Sequence, residues 1–381
     1  MKTRGVHLQY SFQPGGQRGA EVQNPLFDLL SALRDHGSIQ HAAKAMGLSY
    51  RHVWGSVRHW EEVLGESLVV WAQGQPARLT PFAERLLWAE TRARARLTPH
   101  IEALRVELER VLAEALDGSQ QVLTVLASHD LALPGLRELA GNSEQLHVEL
   151  RFAGSMDALR ALAEGRCTVA GFHVPPLADS RNVFARGLKP LLKPGRHKLI
   201  GCMQRTQGLL VPKGNPLQLR TLADLVARGA RFVNRQDGSG TRLLTDHLLA
   251  QQKVDPAHIP HYFDQAEDSH IAAAAAVASG VGDAAMGIEA AAQAFGLDFV
   301  PLMTEDYFLV CLAEMLEQPA VQALRRVLQG EAWRRTAEAM PGYRAARSGE
   351  VLSLTRALPW WNFRTPKAHG AEKAEPLASN G

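Results

Sequence analysis

GSIQHAAKAMGLSYRHVWGSVRHWEEVLGESLV, residues Gly37–Val69, holds two short helical patterns separated by a glycine. Ser38 opens the first, Ile39–Met46, in which Ala42, Ala43 and Ala45 are small enough to pack inside; Gly47 ends it. Ser49 caps the second, which runs through Trp54 and Trp60 to about Leu64. Two helices joined by so tight a turn predict a helix-turn-helix. From Ser38 to Trp60 there is no acidic residue, while Lys44, Arg51, Arg58, His41, His52 and His59 are present. A recognition helix needs this composition: cations face phosphates, and polar side chains of its first turn reach base edges. The candidate DNA-binding residues are Ser38, Gln40, His41, Ser49, Tyr50, Arg51, His52 and Arg58. A small bundle with a solvated basic face would carry the same pattern.

The surroundings complete the unit. Leu26, Leu29, Leu30 and Leu33 line one face of a helix that starts at Pro25 and closes at Gly37. Ser67–Trp71 and Ala77–Leu79, around a turn at Gln73–Ala77, predict a small hairpin wing. Thr80-Pro81 then caps a helix through Trp88. Trp54, Trp60, Trp71 and Trp88 are assigned to the core rather than to DNA. Val6–Phe12 alternates as a short strand. Leu97, Ile101, Leu104, Leu108, Val111 and Ala115 step by fours and threes, the spacing of a two-stranded coiled coil. Pro99, capped by Thr98, is expected to restart the helix there. A helix packed on its own domain would show the same seam, but reading paired half-sites favours a dimer.

The Gly37–Val69 run resembles the N-terminal domain of the molybdate-responsive ModE regulators and, more distantly, of the LysR family. The marks are Gly37-Ser38-Ile39, Ala42-Ala43, Gly47-Leu48-Ser49-Tyr50-Arg51 and Trp54. The likeness covers about the first 115 residues, with a wing turn shorter and less glycine-rich than that family's.

After Gly118 short apolar strands alternate with helices: Val122–Ala127, Leu131–Leu139, His147–Phe152, Met156–Glu164 and Thr168–Phe172 come first. Gly208–Val211, Arg231–Asn234, a helix from about Thr241, His270–Val277, Asp283–Gly287 and Tyr307–Leu312 follow. That alternation predicts an α/β sensor of two doubly wound lobes. In open α/β sheets ligands sit beyond the carboxyl ends of strands, where helix N-termini present free N–H groups. Three such junctions carry small or hydroxyl residues: Ser128-His129-Asp130, Gly154-Ser155-Met156 and Gly238-Ser239-Gly240-Thr241. Turns and caps use the same residues, so it is their recurrence at equivalent places that points to an anion site. Candidate ligand-binding residues are Ser128, His129, Asp130, Ser155, Met156, His173, Arg235, Ser239, Gly240, Thr241, Arg242 and His270. The two arginines could serve an anion or pair with Asp237 or Asp246.

Phe232–Arg242, together with Ala127–Asp130, Ala170–His173 and Gly282–Gly287, resembles periplasmic-binding-protein-like domains of type II. These occur fused to ModE-type heads and to molybdopterin-biosynthesis enzymes, and are similar to bacterial molybdate- and tungstate-binding proteins. The resemblance implies a two-lobed domain over roughly 121–345 closing on a small anionic effector, molybdate or tungstate first. A small organic carboxylate such as formate, or a ligand-free oligomerisation domain, stays open.

The bulk numbers fit this division. A chain of 381 residues with 46% hydrophobic and 21% charged content builds more than one core. A formal charge of +3 permits nucleic-acid binding without arguing for it. The widely spaced Cys167, Cys202 and Cys311 make neither a disulfide framework nor a zinc pattern. Met1–Asn24 lacks the apolar core of a secretory signal, and no run of 18 apolar residues exists. These readings place the chain in the cytoplasm, away from membranes, and count against a transport-associated solute-binding protein. There is no P-loop, HExxH, GxSxG or dinucleotide glycine spacing, and adjacent Ser128-His129-Asp130 cannot adopt triad geometry. An enzyme, a molybdenum-cofactor-related one included, is therefore the weaker reading, and no cofactor is expected. The domain layout is 1–96 winged helix-turn-helix, 97–118 linker and dimerisation helix, 119–350 sensor, 351–381 a terminal segment with a disordered tail. The expected partners are a palindromic double-stranded DNA operator and a second copy in a homodimer, with tetramers left open.

Overall fold

The computed structural model describes residues 24–71, 76–116, 121–179, 181–264 and 266–361. The strand expected at Val6–Phe12, most of the wing turn and the C-terminal tail lie outside them. The chain divides into two compact units, residues 1–109 and 110–381.

In the first unit, α1 (Pro25–His36), α2 (Ile39–Ala45) and α3 (Tyr50–Leu64) form the helix-turn-helix with its preceding helix. Each start is capped by the side chain expected: Ser38 Oγ accepts from the His41 N–H at 3.1 Å, and Ser49 Oγ from the His52 N–H at 3.1 Å. Gly37 ends α1 in the left-handed region, φ 64°, where a side chain would be strained. Leu26, Leu29, Leu30, Leu33, Ile39, Ala42, Val53 and Val57 form the core. The wing is β1 (Val69–Val70) paired antiparallel with β2 (Arg78–Leu79). Glu61 Oε1 accepts from the Leu68 and Val69 N–H groups, tying the wing to α3.

Two expectations need correction here. Trp54 is 44% exposed, because Val53 and Val57 already occupy the buried face of α3, and Trp71, just past β1, is 41% exposed; Trp60 and Trp88 are half-buried. The helix does not restart at Pro99: α4 runs unbroken from Pro81 to Leu116. A proline deletes one backbone hydrogen bond, and the turns on either side carry the helix through it. Thr98 Oγ1 donates back to the Arg94 carbonyl at 2.8 Å instead of capping a new start.

The second unit opens with β3 (Gln121–Ala127), α5 (Leu133–Glu144), β4 (Leu146–Phe152), α6 (Ser155–Ala163), β5 (Val169–Val174) and α7 (Val183–Leu188). β6 (His197–Val211), α8 (Ala223–Ala227), β7 (Phe232–Arg235), α9 (Gly240–Gln251), β8 (Ala266–Glu267) and α10 (His270–Ala278) follow. β9 (Ala284–Ile288), α11 (Glu289–Ala294), β10 (Asp298–Leu312), α12 (Pro319–Gln329) and α13 (Glu331–Glu338) come next, and the two-residue strands Tyr343–Arg344 and Val351–Leu352, both paired with β6, precede a last short α-helix, Leu354–Ala357. The strand order is β4-β3-β5-β10-β6-β9-β7-β8. β3, β4 and β5 are mutually parallel in one lobe, and β7, β8 and β9 in the other. The two 15-residue strands β6 and β10 pair antiparallel along their lengths and join the lobes into one curled mixed sheet. Sequence patterning finds only their apolar ends, Gly208–Val211 and Tyr307–Leu312, because charged residues interrupt the middles.

Alternation along these strands fills both faces of the sheet. Ile200, Leu210, Ala285 and Leu309 pack under α5 and α10–α13, while Leu199, Leu209, Met286 and Phe308 pack under α6, α7 and α9. A buried strand set covered on both faces therefore reads as apolar runs rather than as alternation of apolar and polar residues.

Candidate functional site

The parallel strands of both lobes end at one place. The loop after β3 brings Ser128, His129 and Asp130, that after β4 brings Ser155, and those after β7 and β8 bring Ser239-Gly240 and Ser269-His270. Three helices begin there: α6 at Ser155, α9 at Gly240 capped by Ser239, and α10 at His270 capped by Ser269. A helix's first turn has backbone N–H groups with no intrahelical acceptor, and its dipole favours negative charge. The loops from opposite lobes touch: a Cβ added at Gly240 would stand 3.7 Å from Ser155 Oγ, and one at Gly154 would stand 3.5 Å from the Gly238 carbonyl.

Arg235, at the carboxyl end of β7, is buried at 4% exposure. Its Nε donates to the Glu267 carbonyl at 3.1 Å and its Nη2 to the Asp268 carbonyl at 2.8 Å, whereas its Nη1 is buried with no partner. Burial, and then repulsion from Arg205, lower its pKa to about 10. The charges of Asp268 and Glu267 offset this only in part, and a buried cation whose hydrogen bonds go to neutral carbonyls favours an anion that reaches it. Three more buried polar atoms lack partners: Ser155 Oγ, His129 Nδ1 and His270 Nδ1. Burial and the charge of Arg235 hold the His129 pKa down to about 4 and push that of His270 well below the usual range. Both imidazoles are therefore neutral near pH 7, each with one N–H to donate.

Behind this group lies a second one whose charged groups pair with each other, although His173 Nε2, Gln207 Oε1 and Glu305 Oε2 make no hydrogen bond. Arg205 of β6 faces its register partner Glu305 of β10, donating from Nε at 2.7 Å, and donates from Nη1 to Asp130 at 2.8 Å. Gln207 donates to Glu305 and Tyr343 to Asp130. His173 Nδ1 is 2.7 Å from Ser128 Oγ, and its Nε2 is 3.5 Å from Asp130. Burial opposes ionisation of Asp130, but the His173 ring and the Arg205 charge outweigh it and hold the carboxyl at about 2.

Of the twelve sequence-derived ligand residues, the structure gathers Ser155, Arg235, His129 and His270 as side chains, and Ser239, Gly240 and Thr241 through the start of α9. Ser128, Asp130 and His173 come to the same place but engage each other and Arg205. Met156 packs instead against Gly187 of α7. Arg242 turns away: it pairs with Asp246 at 3.1 Å and Asp237 at 3.4 Å and lies over the Tyr262 ring at 4.7 Å. Sequence reasoning missed Arg205, Gln207, Glu305 and Tyr343. Their signal is an arginine and a glutamate inside otherwise apolar strands, but the pairing joins residues 100 positions apart.

In the first unit, Gln40, His41, Ser49, Tyr50, Arg51, His52 and Arg58 are exposed, and Ser38 is half-buried in its cap. Ser38 Oγ is also 2.9 Å from His41 Nδ1. Arg51 and His52 have no side-chain partner among the described residues. Arg58 reaches Glu61 at 3.4 Å and lies over the Trp54 ring at 5.3 Å.

Comparison with known proteins matches both units. Residues 136–329, just over half of the chain, fit the PBP superfamily domain, and residues 26–84 fit the bacterial regulatory helix-turn-helix protein of the lysR family. The uncharacterized protein YvgK of Bacillus subtilis (strain 168) is 30% identical over 239 residues, 63% of this chain and 76% of its own length. The molybdenum-pterin-binding protein MopB of Rhodobacter capsulatus is 27% identical over 202 residues, 47% of this chain and 72% of that one. Among solved structures, a cysteine-to-serine mutant of Corynebacterium glutamicum OxyR bound to hydrogen peroxide is 17% identical and covers 82% of this chain and 94% of that one, with a TM-score of 0.41. CbnR complexed with its target DNA is also 17% identical, covering 82% and 98% with a TM-score of 0.37. Neither family description is that of an enzyme. The chain belongs to the PBP superfamily through its second unit, and in its first it carries the regulatory helix-turn-helix of the lysR family.

Proposed function

We propose that this transcription regulator is controlled by a small oxyanion, molybdate or tungstate first, held where the two lobes of its second unit meet. The observation that carries the proposal is Arg235: a buried guanidinium with one unpartnered nitrogen, beside unpartnered Ser155, His129 and His270. A tetrahedral oxyanion offers acceptors only, and Arg235, the Ser155 hydroxyl, two neutral imidazoles and three helix starts are what would meet them. The similarity to a protein named for binding molybdenum-pterin supports the metal oxyanions over others. A small carboxylate such as formate would use the same donors with fewer acceptor atoms. A purely oligomerising domain gives these buried groups no role.

The regulator reads a palindromic operator as a homodimer, with α3 in the major groove and Ser49, Tyr50, Arg51 and His52 in its first turn. Leu97, Ile101, Leu104 and Leu108 form a stripe along α4 on which Leu104 is 48% exposed, the material for a two-stranded seam. No helix among the described residues is long and apolar enough to cross a membrane; its place of action is that of the DNA, in the cytoplasm. Anion binding draws the lobes together and shifts the DNA-binding units between two states of different operator affinity.

A thermal-shift titration of the full chain with molybdate, tungstate, sulfate, phosphate and formate tests the ligand. At 100 times its Kd a ligand adds about 2.7 kcal/mol, or roughly 5–10 °C for a domain of this size. A shift with molybdate or tungstate alone supports the proposal; a shift with formate alone moves the reading to carboxylates. No shift with any anion overturns the anion site.

A further inference from the structure

α3 carries an outward face that works against its own stability. Gly55 lies mid-helix, exposed, and a Cβ there would meet nothing within 4 Å. Glycine is the poorest helix former after proline, and nothing inside the unit requires the missing side chain. Beside it Trp54 is 44% exposed, with the Arg58 guanidinium over its ring at 5.3 Å, although it is the largest apolar side chain on the helix's open side. At 100° per residue, Gly55 falls between Arg51 and His59, four positions to either side, with Trp54 and Arg58 along one flank.

We propose that Trp54 and Gly55 form an apolar reading step in the DNA-binding surface. Gly55 lets the helix backbone close on the base edges of the major groove, and the Trp54 ring covers thymine methyl groups, the one apolar feature displayed there. Charge complementarity fixes duplex DNA as the occupant. Arg51, His52, Arg58 and His59 surround the pair, and no acidic residue occurs from Ser38 to Trp60. This inference rests on α3 being the recognition helix.

The test uses the full chain and a duplex that the wild-type protein selects from a random-sequence pool. Gly55→Ala is expected to raise the thermal midpoint yet weaken binding about fivefold or more, opposite signs that a merely structural glycine does not give. Trp54→Ala is expected to lose about tenfold while the slope of affinity against salt stays unchanged, since no phosphate contact is removed. Arg51→Ala is the control for the parent reading. If Arg51→Ala weakens binding but Gly55→Ala and Trp54→Ala bind within twofold of wild type, the reading step is wrong and the recognition helix stands. A lowered midpoint for Gly55→Ala also overturns the role given to it. If all three bind as wild type, the recognition-helix assignment itself falls.

Discussion

The two functional faces of this chain hold their polar groups in opposite ways. On α3, Arg51, His52 and His59 stand in water, and Arg58 rests on an exposed ring. At the lobe junction Arg235, Ser155 and His270 are almost fully buried, each with an atom left without a partner. The difference follows from the partners proposed. A DNA backbone is a line of fixed charges wrapped in counterions, so solvated cations suffice and counterion release provides much of the drive. A small hydrated anion must lose its water, and only donors already desolvated and fixed in place can compensate it. Substitutions among the buried groups of the second unit should therefore act strongly, on ligand affinity or on the fold, whereas those of the solvated cations on α3 should act modestly and leave stability alone.

The largest effect is expected behind the ligand groups. Asp130→Ala leaves Arg205 with one carboxylate fewer and Tyr343 without its acceptor, all in the interior. Breaking a buried ion pair from one side costs about 3–5 kcal/mol, read as a large drop in the thermal midpoint of the second unit. A drop no greater than that of a surface Asp→Ala control would show that water reaches the network.

Acid should expose the same contrast. His129 has a folded pKa of about 4 against an ordinary value of 6.5, so between those values the unfolded chain binds more protons. Stability is fully present above pH 6.5 and falls as the pH drops towards 4, by on the order of 2 kcal/mol for this half-buried ring. The Asp130 pKa is lowered too, from 3.8 to about 2, but in a more acid window: its stabilisation persists above pH 4 and is lost only as the pH falls towards 2. Unfolding midpoints from pH 7.5 to 4 should therefore decline, and His129→Gln should flatten the decline by about one proton. An equally steep decline in the variant breaks the assignment.

How much of this the sequence disclosed depended on the reach of each interaction. Caps and turns are local, so Ser38, Ser49, Gly37 and Gly47 mark the helix-turn-helix to within a residue. The three junction segments were legible for the same reason, each being a strand end followed by a helix start. Burial and long-range pairing were not legible. Trp54 looks like core until Val53 and Val57 are seen to fill that face, and nothing near Arg205 in the sequence announces Glu305. Pro99 shows the converse error, in which a strong local signal is overridden by a helix propagating on both sides.

Arg235→Met should separate affinity from stability. Losing a charged hydrogen-bonding group at an anion costs about 1.5–3 kcal/mol, roughly 10- to 150-fold in affinity. The ligand-free protein should unfold at the same temperature or higher, because the variant removes a buried cation that no carboxylate within 4 Å compensates among the described residues. Calorimetric titration with molybdate, alongside the unfolding midpoint, measures both. A strongly lowered midpoint would mean that the two carbonyl bonds are the residue's main purpose and that the anion reading of Arg235 is wrong.

Arg242 should give the smallest effect, and it marks the edge of the site. By sequence it stands as near the Gly238–Thr241 loop as Arg235 does, and charge alone cannot rank the two. The structure directs its guanidinium to Asp246 and Asp237, both solvated, and over the buried Tyr262 ring. Pairs of this kind contribute about 0–1 kcal/mol and stacking about as much, so Arg242→Ala should lower the midpoint by no more than a few degrees. Anion affinity should stay within about twofold, since the backbone N–H groups at the start of α9 are kept in place by the Ser239 cap. If Arg242→Ala instead cost as much affinity as Arg235→Met, the guanidinium would have to leave both aspartates when the anion binds. The division between solvated and buried groups would then describe only the ligand-free lobes.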